Sequence, residues 1–141
     1  MLADLVNEAR HLYSDACDYA FDRRRCAALL RELDACGPQE RREFLARYGL
    51  TRLEFEEAIR IPFASEDLAT SALQALSIDA DALYQQDPDG CSTIRRNCTL
   101  CQAKYRCKRD LARDRFAANH PDYCPNSLRF SELSAQAGPV G

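Results

Sequence analysis

Five of the chain's eight cysteines, Cys91, Cys98, Cys101, Cys107 and Cys124, fall within 34 residues. Sulfur at that density serves as disulfide, metal ligand, reactive thiol or small apolar filler, and each use constrains the fold differently. Compartment and size narrow the choice. Met1 to Arg10 interleave Asp4, Glu8 and Arg10 with apolar positions, which is not the unbroken apolar run of a signal peptide or membrane anchor, so the expectation is a cytoplasmic protein with no membrane partner. A reducing compartment argues against a disulfide framework and makes the sequon Asn97-Cys98-Thr99 an accident. At 141 residues the chain buries a core without cross-links, which leaves the cysteines for metal or redox chemistry.

Cys98-Thr99-Leu100-Cys101 is a C-x2-C turn, in which the intervening backbone curls its amides so that two sulfurs face one ion. Cys107 follows after five residues, near the start of an expected helix from Lys104 to Ala118, and Cys124 precedes Pro125. Cys-Pro recurs as the last ligand of iron–sulfur runs, because proline stops the helix and turns the thiolate back. Two sets of four compete: Cys91, Cys98, Cys101 and Cys107, or Cys98, Cys101, Cys107 and Cys124. Structural zinc usually gathers two paired knuckles, and this chain offers one knuckle plus scattered cysteines. An iron–sulfur cluster of the 4Fe–4S type is therefore the favoured cofactor, zinc the alternative, and free or redox-active thiols the third reading. His120, in His120-Pro121, reads as a surface histidine rather than a replacement ligand. Cys17, Cys26 and Cys36 match no ligand spacing and read as small apolar fillers.

The net charge of −3 conceals a division at Gly90: residues 1–90 hold 10 Lys/Arg against 18 Asp/Glu, and residues 91–141 hold 9 against 4. The cysteine-rich segment thus stands at +5 and the rest at −8. Cations around four thiolates favour the ionised form; the plainer reading is a solvated basic face or one that meets nucleic acid. Arg23-Arg24-Arg25 reads as a solvated helix face with Asp18, Asp22 and Glu32 in reach.

No stretch alternates with period two, so the fold class expected is all-α: a small helical bundle with a C-terminal cysteine-ligated segment. Leu2, Leu5, Val6, Ala9, Leu12, Tyr13 and Ala16 open an amphipathic helix. A second helix runs from Tyr19 to Ala35 and stops at Gly37-Pro38. Pro38 to Tyr48 is the third, closed by Gly49; Thr51 with Glu54 is a capping box that starts a fourth to Arg60. Ser65 to Leu76 and an Asp79-capped segment through Tyr84 follow, and Asp87-Pro88-Asp89-Gly90 reads as a turn. Leu45 to Thr51 echoes Leu73 to Asp79 as helix, tight turn, capped helix. A helical hairpin is preferred there over a helix-turn-helix DNA reader, since Glu54, Glu56 and Glu57 would repel phosphate. The expected division is residues 1–90 as a helical region, 91–137 as the cysteine-rich region and 138–141 as a disordered tail.

The spacing C-x6-C-x2-C-x5-C from Cys91 to Cys107 is similar to the cluster loop of the endonuclease III family of DNA glycosylases. That covers 17 residues, and neither the Gly-rich helix-hairpin-helix turn nor the catalytic Lys and Asp accompanies it. Cys98-Thr-Leu-Cys101, Lys104-Tyr-Arg106-Cys107, Asp110-Leu111 and Tyr123-Cys124-Pro125-Asn126, with Leu76 to Leu83 upstream, resemble a family of small bacterial proteins of unknown function over residues 73–134. Cys91 is not part of that pattern. The resemblance implies a shared metal-site scaffold with no assigned activity, and Cys124 rather than Cys91 as fourth ligand.

Four cysteine ligands leave no open iron, so one-electron transfer, sensing of oxidant or iron, or structural support are the expected roles. No Ser/His/Asp set, phosphate-binding Gly loop or paired-carboxylate motif points to an enzyme. The expectation is a cluster-binding protein whose helical N-terminal region docks a redox or regulatory protein partner. The alternative is a zinc-stabilised interaction or DNA-binding module, with nucleic acid not favoured.

Overall fold

The structure is a computed structural model that describes residues 1–136, so the expected tail at 138–141 lies outside the described residues. Among those described it is all-helical, without a strand. Helix α1 runs unbroken from Leu2 to Ala35, where the sequence reading places two helices. The reason is local: no Gly or Pro occurs before Gly37, so nothing interrupts hydrogen bonding between Ala16 and Tyr19. Helices α2 (Pro38–Tyr48), α3 (Arg52–Ala58), α4 (Leu68–Ala75) and α5 (Ala80–Gln86) follow near their expected places. Then come α6 (Pro88–Thr99), α7 (Lys104–Ala112), α8 (Phe116–Asn119), a short 3-10 turn (His120–Asp122) and α9 (Ser127–Gln136).

The two echoing segments close their helices in the same way. Gly49 (φ 63°) and Ser77 (φ 57°) both adopt the left-handed conformation. Leu50 N–H donates to Leu45 O at 3.2 Å, and Ile78 N–H donates to Leu73 O at 2.9 Å. Each is the six-to-one bond of a Schellman end, and each next helix is capped, by the Thr51/Glu54 capping box and by Asp79. The unit is a helical hairpin used twice, and the second copy holds a serine where glycine is easier.

Two expectations fail at helix ends. Asp87 to Gly90 is the capped start of α6, in which Asp87 accepts from Gly90 N–H at 3.0 Å and Pro88 fills the first helical position. Turn residues and N-cap residues are the same chemistry, so the motif reads either way. A Cβ at Gly90 would lie 2.1 Å from the Asp87 carboxylate, so a side chain there would displace the cap. The helix expected from Lys104 to Ala118 breaks after Ala112: Asp114 takes φ 55° and Arg115 N–H bonds Asp110 O at 2.8 Å. The expected boundary at Gly90 falls inside the first turn of α6.

Two apolar clusters form the interior. One gathers Cys26, Leu33, Leu50, Phe55, Ala58 and Ile59 from α1 to α3. The other runs from Leu68 through Leu83, Cys91, Ile94, Cys107 and Phe116 to Phe130 and Leu133. A buried polar knot on α1 joins them. Asp22, whose side chain is wholly enclosed, accepts from Phe63 N–H at 2.9 Å, Ser65 N–H at 2.8 Å, Ser65 Oγ at 2.6 Å and Arg23 Nη2 at 2.8 Å. Arg23 is not the solvated cation expected of the arginine run: it also donates to Ile59 O at 2.9 Å and Ile61 O at 2.8 Å. Arg24 and Arg25 are exposed. Together Asp22 and Arg23 clamp the loop between α3 and α4, where Phe63 takes φ 64°.

Burial pushes the Asp22 carboxyl up, but the donors from Ser65 and Arg23 outweigh it and hold it below the ordinary 3.8. A lowered native value means this stabilisation is complete at neutral pH and is lost as acid takes the pH below 3.8 towards the native value. Truncation to Asp22→Ala strands Arg23 and two buried amides, so urea unfolding should show a loss of about 3–5 kcal/mol. Asp22→Asn should flatten the acid limb of the stability profile; an Ala variant within ~0.5 kcal/mol of wild type would contradict the clamp.

Candidate metal centre

Cys98, Cys101, Cys107 and Cys124 line one small cavity together with Leu68, Ala72, Lys104, Phe116, Tyr123, Pro125 and Phe130. They arrive from three segments: the end of α6 and the turn after it, the second turn of α7, and the stretch after the 3-10 turn. Cys91 does not join them. It packs into the apolar cluster and lines a different hollow with Leu73, Ala80 and Ile94. Of the two ligand sets drawn from the sequence, the one ending at Cys124 is therefore the one whose members share a wall.

Non-cysteine residues of the same stretch hold these segments in place. Lys104 is 3 % exposed, and its Nζ donates to Thr99 O at 2.6 Å and Cys101 O at 2.9 Å, so it ties the C-x2-C turn to the start of α7. Tyr123 Oη donates to the buried Asp110 carboxylate at 3.0 Å, which ties α7 to the segment carrying Cys124. Asn126 donates from Nδ2 to Ile94 O at 3.0 Å and accepts from Asn97 at 2.9 Å, which ties that segment back to α6. Arg106 lies 4.6 Å from the Tyr123 ring centre.

Two donors point at sulfur itself. Asn126 Nδ2 is 3.3 Å from Cys98 Sγ, and Ala103 N–H is 3.3 Å from Cys101 Sγ. Burial, then the neighbouring sulfurs of Cys124, Cys107 and Cys101, push the Cys98 thiol up to about 12. Burial, Cys124 and Cys101 do the same to Cys107, also to about 12. Burial raises Cys124 as well and lowers Lys104, which the Cys101 and Cys98 sulfurs push back up.

The donor chemistry fits a soft metal centre, since four thiols in an apolar, water-poor hollow are the ligands that iron–sulfur clusters and zinc take. As the side chains stand, however, no three His, Cys, Asp or Glu among the described residues form a group that could hold a metal ion.

His120 is not the surface histidine expected. It is buried, lies 5.2 Å from Phe116 ring to ring, and has an Nδ1 without a hydrogen-bond partner. Burial lowers its pKa, which keeps it neutral, and it is not among the cavity's lining residues. Of the three cysteines read as fillers, Cys26 is buried beside Asp22, Cys36 is half-buried and Cys17 is exposed. Cys17 is thus no filler, because its side of α1 faces solvent. The roles of Lys104, Asp110 and Asn126 were not read from the sequence; a lysine within three residues of a C-x2-C turn and an Asn after Cys-Pro were the available signals.

Residues 63–136 match DUF6455, a family of unknown function. The chain belongs to the DUF6455 family. The match agrees with the resemblance to a small domain of unknown function and extends it upstream to Phe63, so the DUF6455 segment spans α4 to α9 and all four cavity cysteines. Helices α1 to α3 precede it. No curated protein and no solved structure matches the chain. No helix among the described residues is long and apolar enough to cross a membrane.

The Tyr123–Asp110 bond is testable by itself. Tyr123→Phe leaves a buried carboxylate short of a donor and should lower unfolding stability by about 1–3 kcal/mol. In the Asp110→Asn background the same change should cost less, and equal costs in the two backgrounds would show that the pair is not coupled.

Proposed function

We propose that the DUF6455 segment of this chain holds a 4Fe–4S-type cluster on Cys98, Cys101, Cys107 and Cys124, and that the protein acts in electron transfer or in sensing of oxidant or iron. What carries this reading is the meeting of those four cysteines, and not Cys91, at one apolar cavity. Cys98 and Cys101 already accept N–H bonds at sulfur, which stabilise thiolate and tune potential in cluster proteins. Pro125 follows the last cysteine. A cluster with four thiolate ligands supplies one-electron chemistry without an open coordination site. This chain's own residues do the rest: Phe116, Phe130 and Leu68 exclude water, Lys104 brings a positive charge to the thiolate-rich wall, and Asn126 orients Cys98. A protein partner is implied, as electrons or a signal have to leave the site.

One observation favours zinc as the second reading. The cavity measures about 20 Å³, room for roughly one water-sized sphere. That space is nearer to what a single ion occupies than to what a cluster core does. In that reading the fold uses zinc to fix an interaction module.

Anaerobic purification followed by optical and paramagnetic spectra tests the proposal: a brown protein with cluster signals is expected, and a colourless protein with stoichiometric zinc overturns it. Cys124→Ser should lose the metal while Cys91→Ser keeps it; the reverse would return the ligand set to the glycosylase-like spacing. Loading of metal-free protein should release protons and weaken as pH falls, since the raised thiols of Cys98 and Cys107 are protonated at neutral pH and have to ionise to bind. A pH titration of metal affinity checks this.

A further inference from the structure

The first four turns of α1 do nothing for the fold described above. Every residue from Met1 to Ser14 is exposed, and these include Leu2 at 79 %, Leu5 at 60 %, Leu12 at 61 % and Tyr13 at 74 %. The apolar residues on this stretch are not scattered. Leu2, Leu5, Ala9, Leu12, Ala16 and Tyr19 follow one another in steps of three, four, three, four and three. That repeat of three and a half is the seam of two supercoiled helices, whereas a helix lying on a globular core follows 3.6. Val6, Tyr13 and Ala20 each sit one position beyond a seam residue and widen the stripe.

As far as Ala16 the rest of the chain occupies a different side of α1; the two meet at Tyr19, whose ring stands edge-on to Phe63 at 6.1 Å. Asp15 meets Tyr105 Oη at 3.1 Å, Asp18 meets Lys108 at 3.2 Å, and Asp22 and Cys26 are buried in the clamp. At roughly 100° per residue this row is centred about 120° round the helix from Ala9 and Ala16. A helix laid along the stripe from Leu2 to Ala16 would therefore not run into the protein's own body.

We propose that α1 pairs with α1 of a second copy of this chain as a short parallel two-stranded coiled coil. Charge selects that occupant and that direction. Glu8 and Asp15 flank one edge of the stripe and Arg10 flanks the other. In a parallel two-fold pair each edge faces the opposite edge of the partner, which brings the acidic Glu8 edge of one copy towards the Arg10 edge of the other, the two residues roughly 3 Å apart in height along the axis. An antiparallel pair sets the acidic edges against each other. Fewer than three heptads are available, so association is reversible and concentration-dependent. The pairing requires no metal and stands apart from the function proposed for the cysteines.

Sedimentation equilibrium of the full chain should show a mass that rises towards twice the monomer's between low micromolar and hundreds of micromolar protein. Leu5→Lys with Leu12→Lys changes only exposed positions and should give a monomer with unchanged circular dichroism. In a Cys17→Ser background, Ala9→Cys on the seam should form a covalent dimer under mild oxidation, and Asp4→Cys on the outer face should not. A monomer at every concentration, a dimer that survives the double lysine variant, or equal cross-linking by both cysteine variants would each overturn the proposal; vesicle binding without self-association would instead assign the stripe to a lipid surface.

Discussion

One enclosed carboxylate sets the position of nearly everything else. A charge buried as fully as Asp22 is tolerable only when its lone pairs are taken up, and beside Arg23 and Cys26 of its own helix the groups that do so come from elsewhere: two backbone amides and a hydroxyl of the α3–α4 loop. Satisfying Asp22 therefore fixes that loop, and with it Phe63 at φ 64°. The Phe63 ring then stacks on Tyr105 at 6.2 Å and receives Lys108 Nζ at 5.0 Å from its centre. Tyr105 and Lys108 flank Cys107 on α7. A polar requirement on the first helix is in this way transmitted, through one aromatic ring, to the helix that supplies a cavity cysteine.

The cavity repeats that logic at shorter range. Cys98, Cys101, Cys107 and Cys124 sit on three segments that no helix connects rigidly, and three side-chain hydrogen-bond centres, Lys104, Asp110 and Asn126, join them in a triangle. Each of the three is buried, so each is costly unless it makes its bonds. The same burial raises the thiols. A wall that resists thiolate when left to itself and accepts it beside a cation is suited to the metal reading proposed above, because the metal's charge is what makes ionisation favourable.

What the sequence disclosed follows from the range of each interaction. Gly37-Pro38, Gly49, the Thr51/Glu54 box and the Asp79 cap act within three or four residues, so their helix ends were readable. Asp87-Pro88-Asp89-Gly90 also acts locally, yet a turn and an N-cap ask for the same residues, and only the apolar positions Cys91 and Ile94 after it, both buried, decide for a helix. Between Ala16 and Tyr19 the sequence holds no helix breaker, and the two helices expected there are one. The Asp22 clamp spans 41 and 43 residues, and nothing near Asp22 signals it. His120 beside Pro121 has the composition of a surface loop and is buried by Phe116 and Phe130, which belong to other elements. For the cysteines, spacing left two sets of four open, and Cys124, 17 residues beyond Cys107, was favoured over Cys91 by the family resemblance alone.

The charge division at Gly90 illustrates how a bulk property acquires meaning from packing. A +5 segment following a −8 segment invites a search for phosphate, but several of the cations are engaged within the chain. Arg96 pairs with Glu54 and donates to Gly49 O at 2.8 Å, Lys108 pairs with Glu66 at 2.7 Å and Asp18 at 3.2 Å, and Arg129 pairs with Asp87 at 3.2 Å. Arg96 and Glu54 illustrate the strength of the match, since Arg96 and the Thr51 amide hold the Glu54 carboxyl down at about 2. In each case a basic residue of the C-terminal segment meets an acid supplied from residues 1–90. Lys104 is buried against the cysteine cavity and equally withdrawn from solvent. Part of the opposite charge of the two segments is thus spent on each other and sets α6, α7 and α9 against the elements that precede them, while Arg95, Arg109, Arg113 and Arg115 stay exposed.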